Sequence, residues 1–183
     1  SGDLVLTHRH ARISEFQFAT KTRKPHKLGT VPFLNTGMAL IELVISSDTP
    51  YYAYGLDDRR QGNSNGIFRT KTPFTSNWKW QWACDGIVAS PGAIIEVHPK
   101  NPDTLATGGN TGLIAQVSHD GGKYWQPMVG SSVMTDEICF DPYNPGRVLL
   151  MDELTYVNVS SDGGLNFKPL APQFSSARVC DME

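Results

Sequence analysis

The stretch Ser118-His119-Asp120-Gly121-Gly122-Lys123-Tyr124-Trp125 returns 42 residues later as Ser160-Ser161-Asp162-Gly163-Gly164-Leu165-Asn166-Phe167. Both copies follow the pattern S-x-D-G-G-x-x-aromatic. A period of this length is typical of repeat architectures that place one four-stranded unit in each repeat. The spacing therefore predicts a repeated β-sheet unit.

Short segments with strand character flank each copy, and this makes the copy itself a turn. The segments are Leu113–Val117 and Thr155–Val159 before the copies, and Trp125–Met128 and Phe167–Leu170 after them. Glycine reaches positive φ without steric cost, and an Asp side chain accepts hydrogen bonds from turn amides. We therefore interpret Asp120 and Asp162 as turn-stabilising residues in hairpins, in preference to catalytic acids or calcium ligands.

The segments upstream of the hairpins repeat as well. Residues 93–105 and 137–149 each show a strand, an x-P-x-N-P turn and a second strand. Proline fixes φ and Asn-Pro favours the start of a turn. With the hairpin that follows, each repeat is predicted to contain four strands.

An earlier, degenerate copy precedes these two. Ala39–Val44 aligns with Ala93–Val97, and Tyr51–Tyr54 and Gly66–Thr70 supply a second and a third strand. Thr70–Phe74 stands where the hairpin motif is expected, without its Asp and glycines. Before it, residues 3–6 and 13–20 predict two strands of a further unit.

The repeats resemble the Asp-box, or bacterial neuraminidase repeat, of sialidases, the sortilin ectodomain and xyloglucan-cleaving propeller glycosidases. This resemblance implies an all-β fold, a β-propeller of four-stranded antiparallel blades with Asp-box hairpins. It also implies an extracellular or secretory-pathway location. The structural Asp-box residues are Ser118, Asp120, Gly122 and Trp125 in one copy and Ser160, Asp162, Gly164 and Phe167 in the other.

We expect about four blades within a single propeller domain or propeller segment spanning residues 1–183. The blades are roughly 1–37, 38–90, 91–134 and 135–175, and residues 176–183 supply the first strand of the next or closing blade. An open arc exposes unpaired strand edges, so we also expect a homo-oligomer or a partner chain that completes the propeller.

Composition narrows the classes of function. The 16 basic and 18 acidic residues give a net charge of −2, so no positive excess favours nucleic acid. The sequence contains neither an apolar run near 18 residues nor a C-x-x-C pair or phosphate-binding loop. We therefore predict no nucleic-acid partner, no membrane insertion in this segment, and no cofactor or metal.

Two segments of the degenerate copy are candidate binding sites. The first is the polar loop Asp57–Asn65, which contains Asp58, Arg59 and Arg60; it is either a ligand loop or a solvated loop with internal ion pairs. The second is Trp78-Lys79-Trp80-Gln81-Trp82, where period two places Trp78, Trp80 and Trp82 on one strand face. These rings either pack between blades, which we favour, or form a stacking platform for sugars.

Two weaker patterns are interpreted as structural or accidental. His8 and His10 can share a strand face, but no third metal ligand lies near them in the sequence. Asn158-Val159-Ser160 matches a glycosylation sequon, but it lies in a predicted strand where a glycan fits poorly.

The favoured function is a non-enzymatic binding or assembly module, sortilin-like, with a protein or carbohydrate ligand. The alternatives are a glycoside hydrolase of the sialidase or xyloglucanase kind, or a fragment of one, and a purely structural subunit. The sialidase family has an F-R-I-P motif, and Phe68-Arg69-Thr70-Lys71 lacks its Ile-Pro. No catalytic residue is therefore assigned.

Overall fold

A computed structural model of the chain describes residues 4–8, 12–17, 22–27, 40–45, 52–57, 66–71, 79–84, 94–108, 114–131, 135–152 and 157–170. These residues form strands and turns, and none of them lies in a helix. The strands are β1 (Leu4–His8), β2 (Arg12–Gln17), β3 (Thr22–Lys27), β4 (Leu40–Ile45), β5 (Ala53–Asp57), β6 (Gly66–Thr70), β7 (Trp80–Trp82), β8 (Ile94–Val97), β9 (Leu105–Gly108), β10 (Gln116–Ser118), β11 (Gln126–Pro127), β12 (Thr135–Phe140), β13 (Val148–Asp152), β14 (Val157–Ser160) and β15 (Lys168–Pro169).

The strands form antiparallel sheets in which sequence neighbours pair. Strands β4–β7, β8–β11 and β12–β15 make three four-stranded sheets, and β1–β3 make a three-stranded one. Strand β3 contains Pro25, which suits an edge because proline cannot donate to a ladder. The predicted all-β class with four-stranded antiparallel units is confirmed.

The three four-stranded sheets pack face to face in chain order, with β8 against β4 and β5, and β12 against β8 and β9. We call the interface between sheets β4–β7 and β8–β11 the first seam, and that between β8–β11 and β12–β15 the second seam. The buried core of the first seam is Tyr52, Tyr54, Ile67, Ala83, Ile95, Val97, Leu105 and Trp125. The second seam buries Ala106, Ala115, Val117, Met128, Ile138, Phe140, Val148 and Leu150.

An equivalent backbone hydrogen bond occurs in each of the three sheets and shows which of their residues correspond. The amides of Ala83, Met128 and Leu170 each donate to a third-strand carbonyl, those of Ile67, Ala115 and Val157 respectively. Thr70 therefore corresponds to Ser118 and Ser160, and Trp80 corresponds to Trp125 and Phe167.

The same register corrects one sequence alignment. Matching Ala39–Val44 with Ala93–Val97 pairs Glu42 with Glu96, whereas the strand pairing makes Val44 the equivalent of Glu96. A slip of two residues keeps every side chain on its own face of a strand, so an apolar run does not reveal it.

Successive connections between strands alternate between the two ends of the strands, and each end forms one edge of the stack. We call the edge with the turns β8–β9, β10–β11, β12–β13 and β14–β15 the turn edge. The opposite edge, where β5–β6, β9–β10 and β13–β14 are joined, is the loop edge. The repeat hairpins lie at the turn edge, and the Asp57–Asn65 loop begins at the loop edge.

Candidate functional site

The first repeat hairpin is organised by one serine and one carboxylate. Ser118 Oγ donates to Asp120 Oδ1 at 2.9 Å and accepts from the Gly122 amide at 2.9 Å. Asp120 Oδ1 also accepts from the amides of Lys123 and Tyr124, at 3.0 and 2.9 Å. Burial acts to raise the pKa of Asp120, but the bonds from the Tyr124 amide and the Ser118 hydroxyl outweigh it and lower that pKa.

The second hairpin repeats this geometry. Ser160 Oγ donates to Asp162 Oδ1 at 2.6 Å, and Asp162 Oδ1 accepts from the amides of Leu165 and Asn166. The Asn166 side chain adds a bond of 2.7 Å to the second carboxylate oxygen. The hydrogen bond from the Ser160 hydroxyl has the largest effect on the pKa of Asp162, and those from Asn166 come next; together they lower it to about 2. Both carboxylates are therefore occupied by the turns that contain them.

The two glycines of each hairpin have positive φ, between 75° and 93°. The first glycine amide in each hairpin bonds the neighbouring turn, Gly121 to the Asp103 carbonyl and Gly163 to the Gly146 carbonyl. The second glycine faces the preceding sheet, Gly122 against Ala83 and Gly164 against Met128. The hairpin thus joins its own blade and the blade before it.

The sheet without the motif keeps the aromatic position. Trp80 is the equivalent of Trp125 and is 4% exposed, so it packs within the sheet stack. It follows Thr70 by ten residues, whereas Trp125 and Phe167 follow their serines by seven. The sequence pattern missed this equivalence because the longer hairpin changes the spacing.

One described residue of each predicted binding segment, Asp57 and Trp82, lies next to Gly66 near the loop edge. Asp57, at the end of β5, pairs with Gly66 at the start of β6. Trp82, 38% exposed, packs edge-to-face on Phe68 at 4.8 Å between ring centroids. Its ring also covers Gly66, where an added Cβ would lie 2.7 Å from Trp82 Cη2. A half-exposed indole therefore stands at the base of the Asp57–Asn65 loop.

The remaining predicted positions are distributed as follows. Asp58, Arg59, Arg60 and Trp78 lie outside the described residues, as does His10. The part of the chain that the structure describes contains no cluster of three or more potential metal ligands. Asn158 is buried and its amide donates to Asp152 Oδ2 at 3.3 Å, which leaves no room for a glycan.

A polar cluster in the first seam was not predicted. Arg69 Nη1 lies 3.3 Å from Asp103 Oδ1, in an ion pair that crosses from β6 to the β8–β9 turn. Tyr54 donates to the Pro102 carbonyl at 2.5 Å and also interacts with the guanidinium. Burial raises the pKa of Tyr54. Aligning Arg69 with Val117 and Val159 would have shown that a cation occupies a core position.

The two x-P-x-N-P turns meet across the second seam. Asp141 Oδ1 accepts from the amides of Tyr143 and Asn144, and these bonds, the Tyr143 amide first, lower the pKa of Asp141. At the equivalent position, His98 Nδ1 accepts from the Lys100 amide. The Lys100 ammonium lies 4.5 Å from the centre of the Tyr143 ring, which is 87% exposed.

Comparison with solved structures identifies the architecture. The GH74 enzyme of Niastella koreensis matches 96% of the chain at 17% identity and a TM-score of 0.65. YCF48 from Cyanidioschyzon merolae matches 94% at 11% identity and 0.57, and YCF48 bound to a D1 peptide matches 92% at 14% identity and 0.55. These neighbours confirm a β-propeller fold with blade-like sheets.

The chain spans 29% of the Niastella enzyme and 53% and 50% of the two YCF48 chains. No protein-family model and no curated protein sequence matches it. The described residues include no helix long and apolar enough to cross a membrane.

Proposed function

We propose that this propeller segment is a binding or assembly module that holds a protein partner at the loop edge of sheet β4–β7. The observation that carries the proposal is the position of Trp82, half-exposed at the base of the Asp57–Asn65 loop. An aromatic anchor beside a loop rich in charge is typical of recognition surfaces. This blade also lacks the carboxylate that fixes the other hairpins.

The structural uses of five of the described carboxylates support a non-enzymatic role. Asp120, Asp162 and Asp141 accept hydrogen bonds from the backbone of their own turns. Asp103 pairs with Arg69, and Asp152 accepts from Asn158. A glycosidase needs one carboxylic acid with a raised pKa and a second carboxylate across the scissile bond. Each of these five groups has a structural partner, and the shifts found for three of them lower the pKa.

Two resemblances agree with a protein partner. The hairpins are similar to the Asp-box repeats of the sortilin ectodomain, a receptor. A propeller of similar fold, YCF48, is known with a bound D1 peptide. Both likenesses support the class of function and leave the partner of this chain to experiment.

Replacing Trp82 tests the proposed site. Wild type, Trp82→Ala and Tyr124→Ala are screened on an array of 15-residue peptides and on an oligosaccharide array. Tyr124 is a matched control because its ring is 62% exposed at the turn edge. We expect peptide binding that Trp82→Ala weakens by about tenfold or more, while Tyr124→Ala has no effect. Equal affinities of the three proteins for every ligand would contradict the site.

The loop is tested by Arg59→Ala/Arg60→Ala. Arginine binds carboxylates with two parallel hydrogen bonds, so loss of both side chains should weaken binding and leave the melting temperature unchanged. Arg147→Ala is the control, because its half-exposed side chain lies at the opposite edge. A double variant that binds as well as wild type would exclude the arginines from the site.

A glycoside hydrolase is the second candidate, favoured by the same exposed indole, since sugar rings stack on tryptophan. Hydrolysis of fluorogenic glycosides, sialosides included, separates the two functions. Turnover well above background that a single Asp or Glu substitution abolishes would replace the binding proposal. Absence of turnover together with Trp82-dependent peptide binding would support it.

A further inference from the structure

A second cluster of side chains lies toward the turn edge of the first seam, on the face of sheet β4–β7 opposite to Trp82, whose cross-strand partner Phe68 precedes Arg69. Tyr54 and Arg69 are cross-strand partners on β5 and β6. Tyr52 and Lys71 follow at the ends of these strands, on the same face. The Tyr52 ring centre is 5.9 Å from Arg69 Cζ and 4.8 Å from Lys71 Nζ. Two cations therefore share one aromatic ring.

The equivalent positions of the second seam carry no such charge. Val117 occupies the position of Arg69, His119 that of Lys71, and Gly146 that of Asp103. The first-seam cluster contains two cations and one described carboxylate, Asp103, which is 43% exposed on its side chain. The cluster thus has an uncompensated positive charge among the described residues.

Arg69 is the unusual member. Its side chain is 8% exposed, and its one described ion pair is a single contact of 3.3 Å. Its Nε–H is buried and finds no acceptor within the described part of the chain. A buried donor without an acceptor costs free energy, and guanidinium groups usually bind carboxylates through two nitrogens. The Nε–H of this guanidinium therefore lacks an acceptor, which a bound oxyanion would supply.

We propose that Arg69 and Lys71, which both lie against the ring of Tyr52, form a binding site for an oxyanion. The ligand is either a carboxylate of an acidic peptide or a free phosphate, since both match the guanidinium fork. The anion accepts from Arg69 Nε–H and from the Lys71 ammonium, and Asp103 retains Nη1.

Substitution of Lys71, with Lys100 as a matched control, tests whether the Lys71 charge contributes to anion binding. Isothermal titrations at constant ionic strength use inorganic phosphate and, separately, a hexaglutamate peptide. Lys71→Gln should weaken binding about fivefold to tenfold. Lys100→Gln removes the same charge from a similar cation–ring pair in the second seam, and it should leave affinity unchanged. Equal weakening by both variants would show non-specific attraction and overturn the proposal.

A spectroscopic readout in the wild-type protein identifies the donor. In wild-type protein, the arginine Nε–Hε resonance of Arg69 should shift on addition of the ligand that binds. Arg69→Lys keeps the charge and assigns this resonance by its disappearance. A shift with phosphate alone identifies a free-ion site, and a shift with hexaglutamate alone or with both identifies a carboxylate site. No shift with either ligand would overturn the proposal. Arg69 lies on the opposite face of the sheet from Trp82, so the site does not depend on the function proposed above.

Discussion

The two seams join similar sheets with different chemistry. In the first seam, side chains make the polar contacts: Arg69 pairs with Asp103, and Trp125 Nε1 donates to the Ala83 carbonyl at 3.2 Å. In the second seam, two backbone hydrogen bonds join the sheets. The Val129 amide donates to the Leu165 carbonyl at 2.9 Å, and the Phe167 amide donates to the Val129 carbonyl at 2.8 Å.

The comparison shows which structural features both seams share and which differ between them. Both seams keep the serine–carboxylate hairpin and the glycine contact with the preceding sheet, because these satisfy buried amides and allow close approach. The side chains between the sheets need only fill the space and satisfy their polar atoms. The first seam can therefore place a buried arginine where the second places valine.

The largest expected effect is that of Trp125→Ala. Trp125 is 3% exposed in the first seam, whereas its equivalent Phe167 is only partly buried in the second. We expect Trp125→Ala to lower the free energy of unfolding by about 3 to 5 kcal/mol and Phe167→Ala by clearly less. Urea unfolding measures both.

A control separates packing from hydrogen bonding. Trp125→Phe keeps a ring but loses the donor to the Ala83 and Gly122 carbonyls, so it should cost about 1 to 3 kcal/mol. Equal losses for Trp125→Ala and Phe167→Ala would remove this distinction between the seams.

The second effect concerns equivalent glycines. A Cβ at Gly122 would overlap the backbone carbonyl of Ala83, whereas a Cβ at Gly164 would lie 3.4 Å from the flexible end of Met128. Both have positive φ, so Gly164→Ala should cost about 1 to 2 kcal/mol from strain alone. Gly122→Ala should cost about 2 to 5 kcal/mol, because steric overlap is added. Thermal unfolding compares the two variants. Similar melting temperatures would contradict the prediction, because they would show that the Ala83 backbone shifts to accommodate the added methyl group at little cost.

The third effect concerns the ion pair. Asp103→Ala leaves Arg69 buried without its carboxylate, and we expect a loss of about 1 to 3 kcal/mol, the cost of an unpartnered buried group. Arg69→Leu/Asp103→Ala removes both charges and approaches the apolar second seam, so it should regain most of that stability. Urea unfolding of the single and double variants measures the coupling. A double variant less stable than Asp103→Ala would mean that the arginine is held mainly by contacts other than this pair.

The smallest effect is on the pH dependence of the hairpins. The pKa of Asp162 is lowered to about 2 from the ordinary value of 3.8. A carboxylate with a lowered pKa in the folded state stabilises the fold above the unfolded pKa, and this contribution is lost as the pH falls from about 4 to 2. Asp162→Ala should therefore be less stable than wild type at pH 6 by about 1 to 2 kcal/mol, and the difference should shrink as the pH falls towards 2.

Asp120→Ala provides the first-seam counterpart. The pKa of Asp120 is also lowered, but burial opposes the shift and Asp120 lacks a side-chain amide like that of Asn166. Its pH-dependent difference from wild type should have the same sign and a smaller size. Activity of the folded fraction should not change in either variant, since both side chains face their own turns.

The repeat hairpins could be predicted because their information is local. The serine, the carboxylate and the glycines of each copy lie within five residues, so the spacing alone indicates a turn that satisfies its own amides. The four-stranded units follow from strand propensity between such turns. The Trp80 equivalence could not be found in this way, because a hairpin longer by three residues breaks the spacing while the strand register is kept.

The proposed binding site stays a prediction, and the sequence indicated its parts only separately. The sequence indicated the Asp57–Asn65 loop and the tryptophan segment separately, and the pairing of Asp57 with Gly66 shows why Trp82 stands beside that loop. The placement of Arg59 and Arg60 in a binding site stays a prediction. The cluster of Arg69, Lys71 and Tyr52 was missed, because Arg69 in sequence is one basic residue in a strand with no sign of its partners.

By itself, the sequence determined the repeated blade, since each turn and strand is encoded within a few residues and recurs with a fixed period. The tertiary structure alone decided the chemistry of the seams. Arg69 and Asp103 are 34 residues apart and meet only when one sheet packs on the next. Such contacts depend on the face, register and stacking of whole sheets, and these arise from the burial of many apolar side chains together.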